Sequence, residues 1–256
     1  MKRAALALAL LAALVVAAPA RAGNVDLLLV LAADVSRSID DSEFALQRKG
    51  YAAALSDPRV LKAITGGPNR SIALTFVEWS SADEQKTVVD WTVLHDGEDA
   101  AVVAGQILAA PRSFLARTSI SAAIDFSLQR LAASPVTGEH KVIDISGDGT
   151  NNAGRPVTEA RDEAVARGVT INGLAIINTQ TAPGFTMHTQ PPGGLPNYYK
   201  DNVIGGPGAF LLVVENFETF ADAMARKLVS EIAGLPPRRR ASGFAGVLSP
   251  TVKARD

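Results

Sequence analysis

Asp34, Ser36 and Ser38 stand at alternate positions in Asp34-Val35-Ser36-Arg37-Ser38, directly after the apolar run Val25–Ala33. One carboxylate and two hydroxyls in a single short loop are three hard oxygen ligands, the donor type taken by magnesium, manganese and calcium. Two further donors lie far along the chain. Thr118 opens a helical pattern after the loop Pro111–Arg117, and Asp148 follows the apolar run ending at Ser146, within Gly147-Asp148-Gly149. Two carboxylates and three hydroxyls suit magnesium or manganese; calcium fits less well because it takes more ligands. Hydroxyls bring no formal charge. An ion held mainly by them keeps net positive character and can draw an acidic group of a partner to an open position.

Each donor is also ordinary local chemistry when taken alone. Asp and Ser cap helices, Thr118 is a good cap before Ile120, and Asp148 between two glycines suits a turn. The conjunction favours the metal site, and that depends on the elements between the donors. Val25–Ala33 has the length and composition of a strand buried on both faces. Asp41–Leu55 reads as an amphipathic helix with Phe44, Gln47, Arg48 and Tyr51 at helical spacing. Asp57-Pro58 starts a second helical piece, an aspartate cap followed by proline, and Gly66–Asn69 is a turn. Ser71–Trp79 and Lys86–Leu94 are rich in strand formers and close enough for a hairpin.

Gly97–Ala109 predicts a helix stopped at Pro111, and Ser119–Ala133 another. Lys141–Ser146 is a strand, Pro156–Arg167 a helix ended by Gly168, and Val169–Ile177 a strand. Residues 178–208 lack periodicity and read as a long surface excursion. Ala209–Glu215 and Phe217–Ala233 close the pattern as a strand and a helix. Strands and helices alternate with one hairpin. The expectation is one α/β domain over 23–234: a doubly wound, mostly parallel central sheet with one antiparallel strand and helices on both faces. In such sheets, loops at the carboxyl ends of the strands share a crevice, so donors remote in sequence can meet there.

At these positions the chain resembles a von Willebrand factor A-type domain. Asp34-x-Ser36-x-Ser38, Thr118 and Asp148-Gly149 match, in order, the five positions of that family's metal-ion-dependent adhesion site (MIDAS). The likeness covers about residues 24–233. Val142–Asn152, Ile171–Ile176 and Val203–Phe210 also look like a bacterial exported subgroup of uncharacterised function. The resemblance implies that the serines and the threonine bind the ion directly, that the aspartates act largely through water, and that a partner's Asp or Glu completes the shell. Two positions depart from the pattern. Arg37 replaces a small residue between the serines, where a guanidinium either weakens the ion by repulsion or helps to hold an acidic partner. Gly147 stands where the family often has a hydroxyl residue.

Other residues have two readings. Asp144, in mid-strand, predicts a structural salt bridge in preference to support for the ion from behind, because a buried carboxylate needs a partner. Glu78 and Trp79 either rim the crevice or belong to a surface hairpin. Asn151 and Asn152 either orient the Asp148 loop or turn the chain. Tyr198-Tyr199 could belong to a specificity loop.

The bulk composition narrows the setting. Lys2 and Arg3, the apolar stretch Ala4–Ala18 and Ala20-Arg21-Ala22 predict a signal peptide over 1–22, cleaved before Gly23. The run is short for a membrane anchor of about 20 residues, so no stable membrane insertion is expected after cleavage, and the location is periplasmic or secreted. Without Lys2, Arg3 and Arg21, 22 basic residues remain against 26 acidic ones, a net charge of −4 that argues against nucleic acid as the main partner. There is no cysteine, so thiolate metal sites and thiol nucleophiles are excluded. His95, His140 and His188 are far apart and lack the spacing of a zinc motif. Residues 235–256, with Arg238–Arg240, read as a disordered tail.

The functional expectation is an exported, non-enzymatic module that uses magnesium or manganese to bind a protein presenting Asp or Glu. A metal-dependent hydrolase of the phosphatase kind is the alternative. Phosphatases of the haloacid dehalogenase type carry a second aspartate where this chain has Ser36, and no nucleophile elbow or lysine-bearing phosphate loop is present. A structural domain with a degenerate metal site is the third reading.

Overall fold

The computed structural model describes residues 23–177, 191–215 and 219–234. The expected signal peptide and tail therefore lie outside the described residues, as does His188. Among the described residues, six strands form one sheet: β1 Asn24–Asp34, β2 Ile72–Trp79, β3 Gln85–Leu94, β4 Thr137–Gly147, β5 Thr170–Ile176 and β6 Leu211–Val214. Their order is β3-β2-β1-β4-β5-β6. All neighbouring pairs are parallel except β2 and β3, which form the expected antiparallel hairpin. The chain winds outward from β1 to β2 and β3, then returns to lay β4 on the other side of β1. The strand order reverses between β1 and β4, and at such a switch point the loops diverge and leave a crevice.

Alternate side chains of β1 face opposite cores. Leu27, Leu29 and Leu31 pack with α1 (Asp41–Leu55), α2 (Pro58–Gly66), α3 (Gly97–Ala109) and α7 (Phe220–Ile232). Leu28, Val30 and Ala32 pack with α4 (Ile120–Ala132), α5 (Val157–Ala166) and the segment 195–203. Burial on both faces explains why β1 reads as an unbroken apolar run. Among the described residues, no helix is long and apolar enough to cross a membrane.

Helix starts follow the local chemistry. Asp40 caps α1 through a full capping box: its carboxylate accepts from the Ser42 and Glu43 N–H groups, and its own N–H donates to Glu43. Asp57 caps α2 ahead of Pro58. The turn at 66–69 is held by Asp26, whose Oδ1 accepts from the backbone and side-chain nitrogens of Asn69 at 2.8 and 2.9 Å.

Gly50, in the interior of α1, marks the closest approach of α7. A methyl group there would overlap the Phe220 ring. Alanine normally favours a helix over glycine by about 1 kcal/mol. Gly50→Ala is nonetheless expected to destabilise the fold by about 1–3 kcal/mol, because overpacking outweighs propensity. Urea denaturation of the two proteins measures the difference.

The surface reading of 178–208 needs correction where it is described. Residues 195–203 form a short helix, α6 (Leu195–Tyr198), running into a π-helical turn, Tyr199–Val203. Leu195, Tyr199 and Val203 are buried in the core beside β4 and β5. They recur every fourth residue, a single stripe too short for its period to stand out among glycines and prolines.

Candidate metal centre

β1 and β4 end side by side at the switch point, with Ala33 opposite Ser146. Their loops therefore start from neighbouring positions. The Ser36 and Ser38 hydroxyls lie 3.3 Å apart, Thr118 Oγ1 is 3.3 Å from Ser36 Oγ, and Ser38 Oγ donates to Asp148 Oδ1 at 2.6 Å. Asp34 Oδ1 accepts the Ser36 N–H at 2.7 Å. Asp34, Ser36, Thr118 and Asp148 are buried and Ser38 half-buried. All five donors inferred from the sequence converge on one small volume.

The capping readings fail for definite reasons. α1 is capped by Asp40, which leaves Asp34, Ser36 and Ser38 no helix to cap. α4 is capped by Ser119, whose Oγ accepts from the Ala122 N–H, so Thr118 stands one residue outside the helix with its hydroxyl turned to Ser36. Asn151 and Asn152 do orient the loops. Asn152 Oδ1 accepts from the Thr118 N–H at 3.0 Å and Asn151 Oδ1 from the Ser121 N–H at 2.9 Å, tying the Asp148 loop to the start of α4. The Tyr198 hydroxyl accepts from the Asn151 N–H at 3.1 Å.

The electrostatics are those of a cation site. Burial, then repulsion from Asp148, raises the Asp34 carboxyl to about 8, against hydrogen bonds from Ser36 and the pull of Arg112. Among the described residues, Asp34 Oδ2 is buried and has no hydrogen-bond partner. Two buried carboxylates and three clustered hydroxyls fit a hard divalent ion. Asp34 and Asp148 would supply the negative charge, and Ser36, Ser38 and Thr118 the neutral donors.

Arg112 was not legible as part of the site. It reaches in from the loop after α3, and its Nη2 donates to the carbonyls of Val35 and Ser36 at 2.8 and 2.7 Å. The guanidinium stands over Phe44 at 5.4 Å. Arg112 thus pins the backbone that carries the serines. Arg37, the arginine singled out by the sequence, is exposed, and its N–H donates to Ala116 O at 2.9 Å. Leu115, next to Ala116 in the chain, is 54% exposed.

Glu78 neither rims the crevice nor lies on a surface hairpin. It is fully buried, paired with Arg48, and accepts the Ser113 N–H at 3.0 Å. Trp79 is buried as well. Asp144 is the structural salt bridge preferred from the sequence: it meets Lys227 of α7 at 2.6 Å, and Lys227 also meets Glu231. Ser146, on the same face, bonds Tyr51 at 2.7 Å.

The two described histidines lie at the other end of the sheet. His140 pairs with Leu27 on β1, seven residues and about 23 Å from Asp34, and His95 follows Leu94, which pairs with the first residue of β2.

Comparison with known proteins agrees with this architecture. A von Willebrand factor type A protein from Catenulispora acidiphila superposes with a TM-score of 0.57 at 11% identity, over 81% of this chain and 43% of that one. Proximal thread matrix protein 1 from the mussel byssus, in a structure with a zinc-occupied MIDAS motif, gives 0.55 at 21% identity, over 84% and 49%. The pilus adhesin SpaC from Lactobacillus rhamnosus GG gives 0.56 at 11%, over 81% and 31%. The chain spans less than half the length of each of these proteins. At such identities the likeness establishes the fold, which is that of von Willebrand factor A domains. No curated protein matches the chain. The sequence profile of a family described as "Protein of unknown function (DUF1194)" matches residues 24–236.

Proposed function

This chain belongs to the DUF1194 family of proteins of unknown function, and on that premise we propose that it is an exported, non-enzymatic module that binds a protein partner through a divalent ion. The observation that carries this reading is the convergence of Asp34, Ser36, Ser38, Thr118 and Asp148 at the switch point. Magnesium or manganese suits this oxygen set best, and calcium less well. The zinc in the mussel protein's MIDAS motif supports a divalent ion and makes zinc a competitor to be titrated alongside them.

The rim favours binding of an acidic group. Three of the five donors are neutral, so a bound ion keeps positive character, and exposed Arg37 adds a second cation within reach of a carboxylate. Exposed Leu115 offers apolar area to the partner's flanking residues. The donor set suits holding a carboxylate better than hydrolysis. No second aspartate stands at Ser36, and both described histidines lie at the far end of the sheet. Export rests on the signal-like residues 1–22, and a periplasmic or secreted setting follows from them.

Titration calorimetry with magnesium and manganese tests the core of this reading. Wild type is expected to bind one ion per chain at millimolar concentrations or below, and Asp34→Ala to lose detectable binding. A wild type that binds no divalent ion overturns the proposal. A pull-down from envelope extract with and without EDTA then identifies the partner and its metal dependence.

A further inference from the structure

Tyr199 reaches the metal centre from a segment without sequence periodicity. It opens the π-helical turn Tyr199–Val203 and is fully buried. Its ring lies over glycines of two adjacent strands. A Cβ on Gly147 would stand 2.7 Å from the phenol oxygen, and one on Gly173 would stand 3.1 Å from ring carbon Cδ1. The same point over Gly147 is 2.9 Å from Asp34 Oδ2. The phenol and the carboxylate oxygen are thus close enough to each other for a single water to bridge them.

Both oxygens are buried, and neither has a hydrogen-bond partner among the described residues. A phenol O–H needs an acceptor and a carboxylate oxygen needs a donor, and leaving either unmade is costly. One water between them satisfies both. A side chain at 147 would crowd both oxygens directly, which accounts for glycine at the end of the strand. Single π-helical turns are frequent at functional sites.

We propose that Tyr199 is a positioning residue of the metal centre: its phenol, through a buried water, fixes the second oxygen of the Asp34 carboxylate, whose first oxygen is held by the Ser36 N–H. The proposal rests on the metal-binding reading above. It assigns to the turn at 199–203 a role in ion affinity beyond filling the core. Groups that orient a metal's ligands typically contribute about 10–100-fold in affinity.

The test is manganese affinity by calorimetry for wild type, Tyr199→Phe and Gly147→Ala, with melting in EDTA and the manganese EPR line shape as further readouts. Tyr199→Phe keeps the ring and removes the hydroxyl. It is expected to weaken manganese binding about tenfold, alter the EPR line shape and leave the metal-free melting temperature unchanged or higher. Gly147→Ala crowds both oxygens from the strand side and must weaken binding too. Val203→Ala is the packing control, with a lower melting temperature and unchanged affinity. If wild type binds manganese and Tyr199→Phe binds it equally well, the role of Tyr199 is overturned and the metal site stands. If wild type binds no manganese, both fall.

Discussion

Lys227→Met is expected to lower the free energy of unfolding by about 3–5 kcal/mol at neutral pH, the usual consequence of stripping one partner from a buried ion cluster. Lys227, Asp144 and Glu231 are all buried, with the ammonium 2.6 Å from Asp144 Oδ1 and 5.4 Å from the centre of the Phe210 ring. Removing the cation leaves two carboxyls facing each other in the core. Burial already raises Asp144, against the pull of Lys227. Burial and then Asp144 raise Glu231 from 4.5 to about 7. An acid shifted upward binds its proton more tightly when folded. Its stabilising contribution is therefore full below the unfolded value and is lost as pH rises through the folded one, for Glu231 between 4.5 and about 7. Losing Lys227 raises both carboxyls further. The deficit of the variant should be largest above pH 7 and shrink as the carboxyls take up protons. Urea denaturation at pH 5 and pH 8 measures it, and a deficit independent of pH would show that packing, rather than charge, is what Lys227 supplies.

This cluster marks the boundary of what the sequence discloses. Asp144 announces itself because a carboxylate in an apolar run demands a partner. Lys227 does not, because a lysine in an amphipathic helix ordinarily faces water. The five residues that converge at the candidate metal centre are legible for the opposite reason. Each follows a strand or opens a helix whose period is clear, and the α/β alternation alone brings those ends together. Arg112 is illegible because its contacts are to the carbonyls of Val35 and Ser36, more than seventy positions away, and backbone acceptors carry no sequence signal. Arg37, adjacent to the donors in sequence, is exposed, whereas Arg112, remote in sequence, holds their backbone. Tyr199 is hidden by the surrounding Gly, Pro and Asn, whose composition signals a loop while three side chains in it pack as a helix would.

Arg48→Met is expected to cost a similar amount, about 3–5 kcal/mol, and to reach the metal centre as well. Arg48 and Glu78 are buried side by side. The guanidinium donates to the Ile107 carbonyl at the end of α3 and lies over Phe44 and Phe76, while Glu78 Oε2 accepts the Ser113 N–H at 3.0 Å. Ser113 adjoins Arg112, which grips Val35 and Ser36. A chain of contacts therefore runs from α1 through β2 to the loop that supports the backbone at Val35 and Ser36. A double variant separates its two effects. Replacing both partners, Arg48→Met with Glu78→Met, removes the buried charges together and should recover much of the stability. It also deprives the Ser113 N–H of its acceptor, so the loop 111–117 should exchange its amide protons faster and manganese affinity should stay below wild type. Recovery of stability and affinity together would mean that the pair holds the core alone and that Arg112 keeps its grip on the serine loop without it.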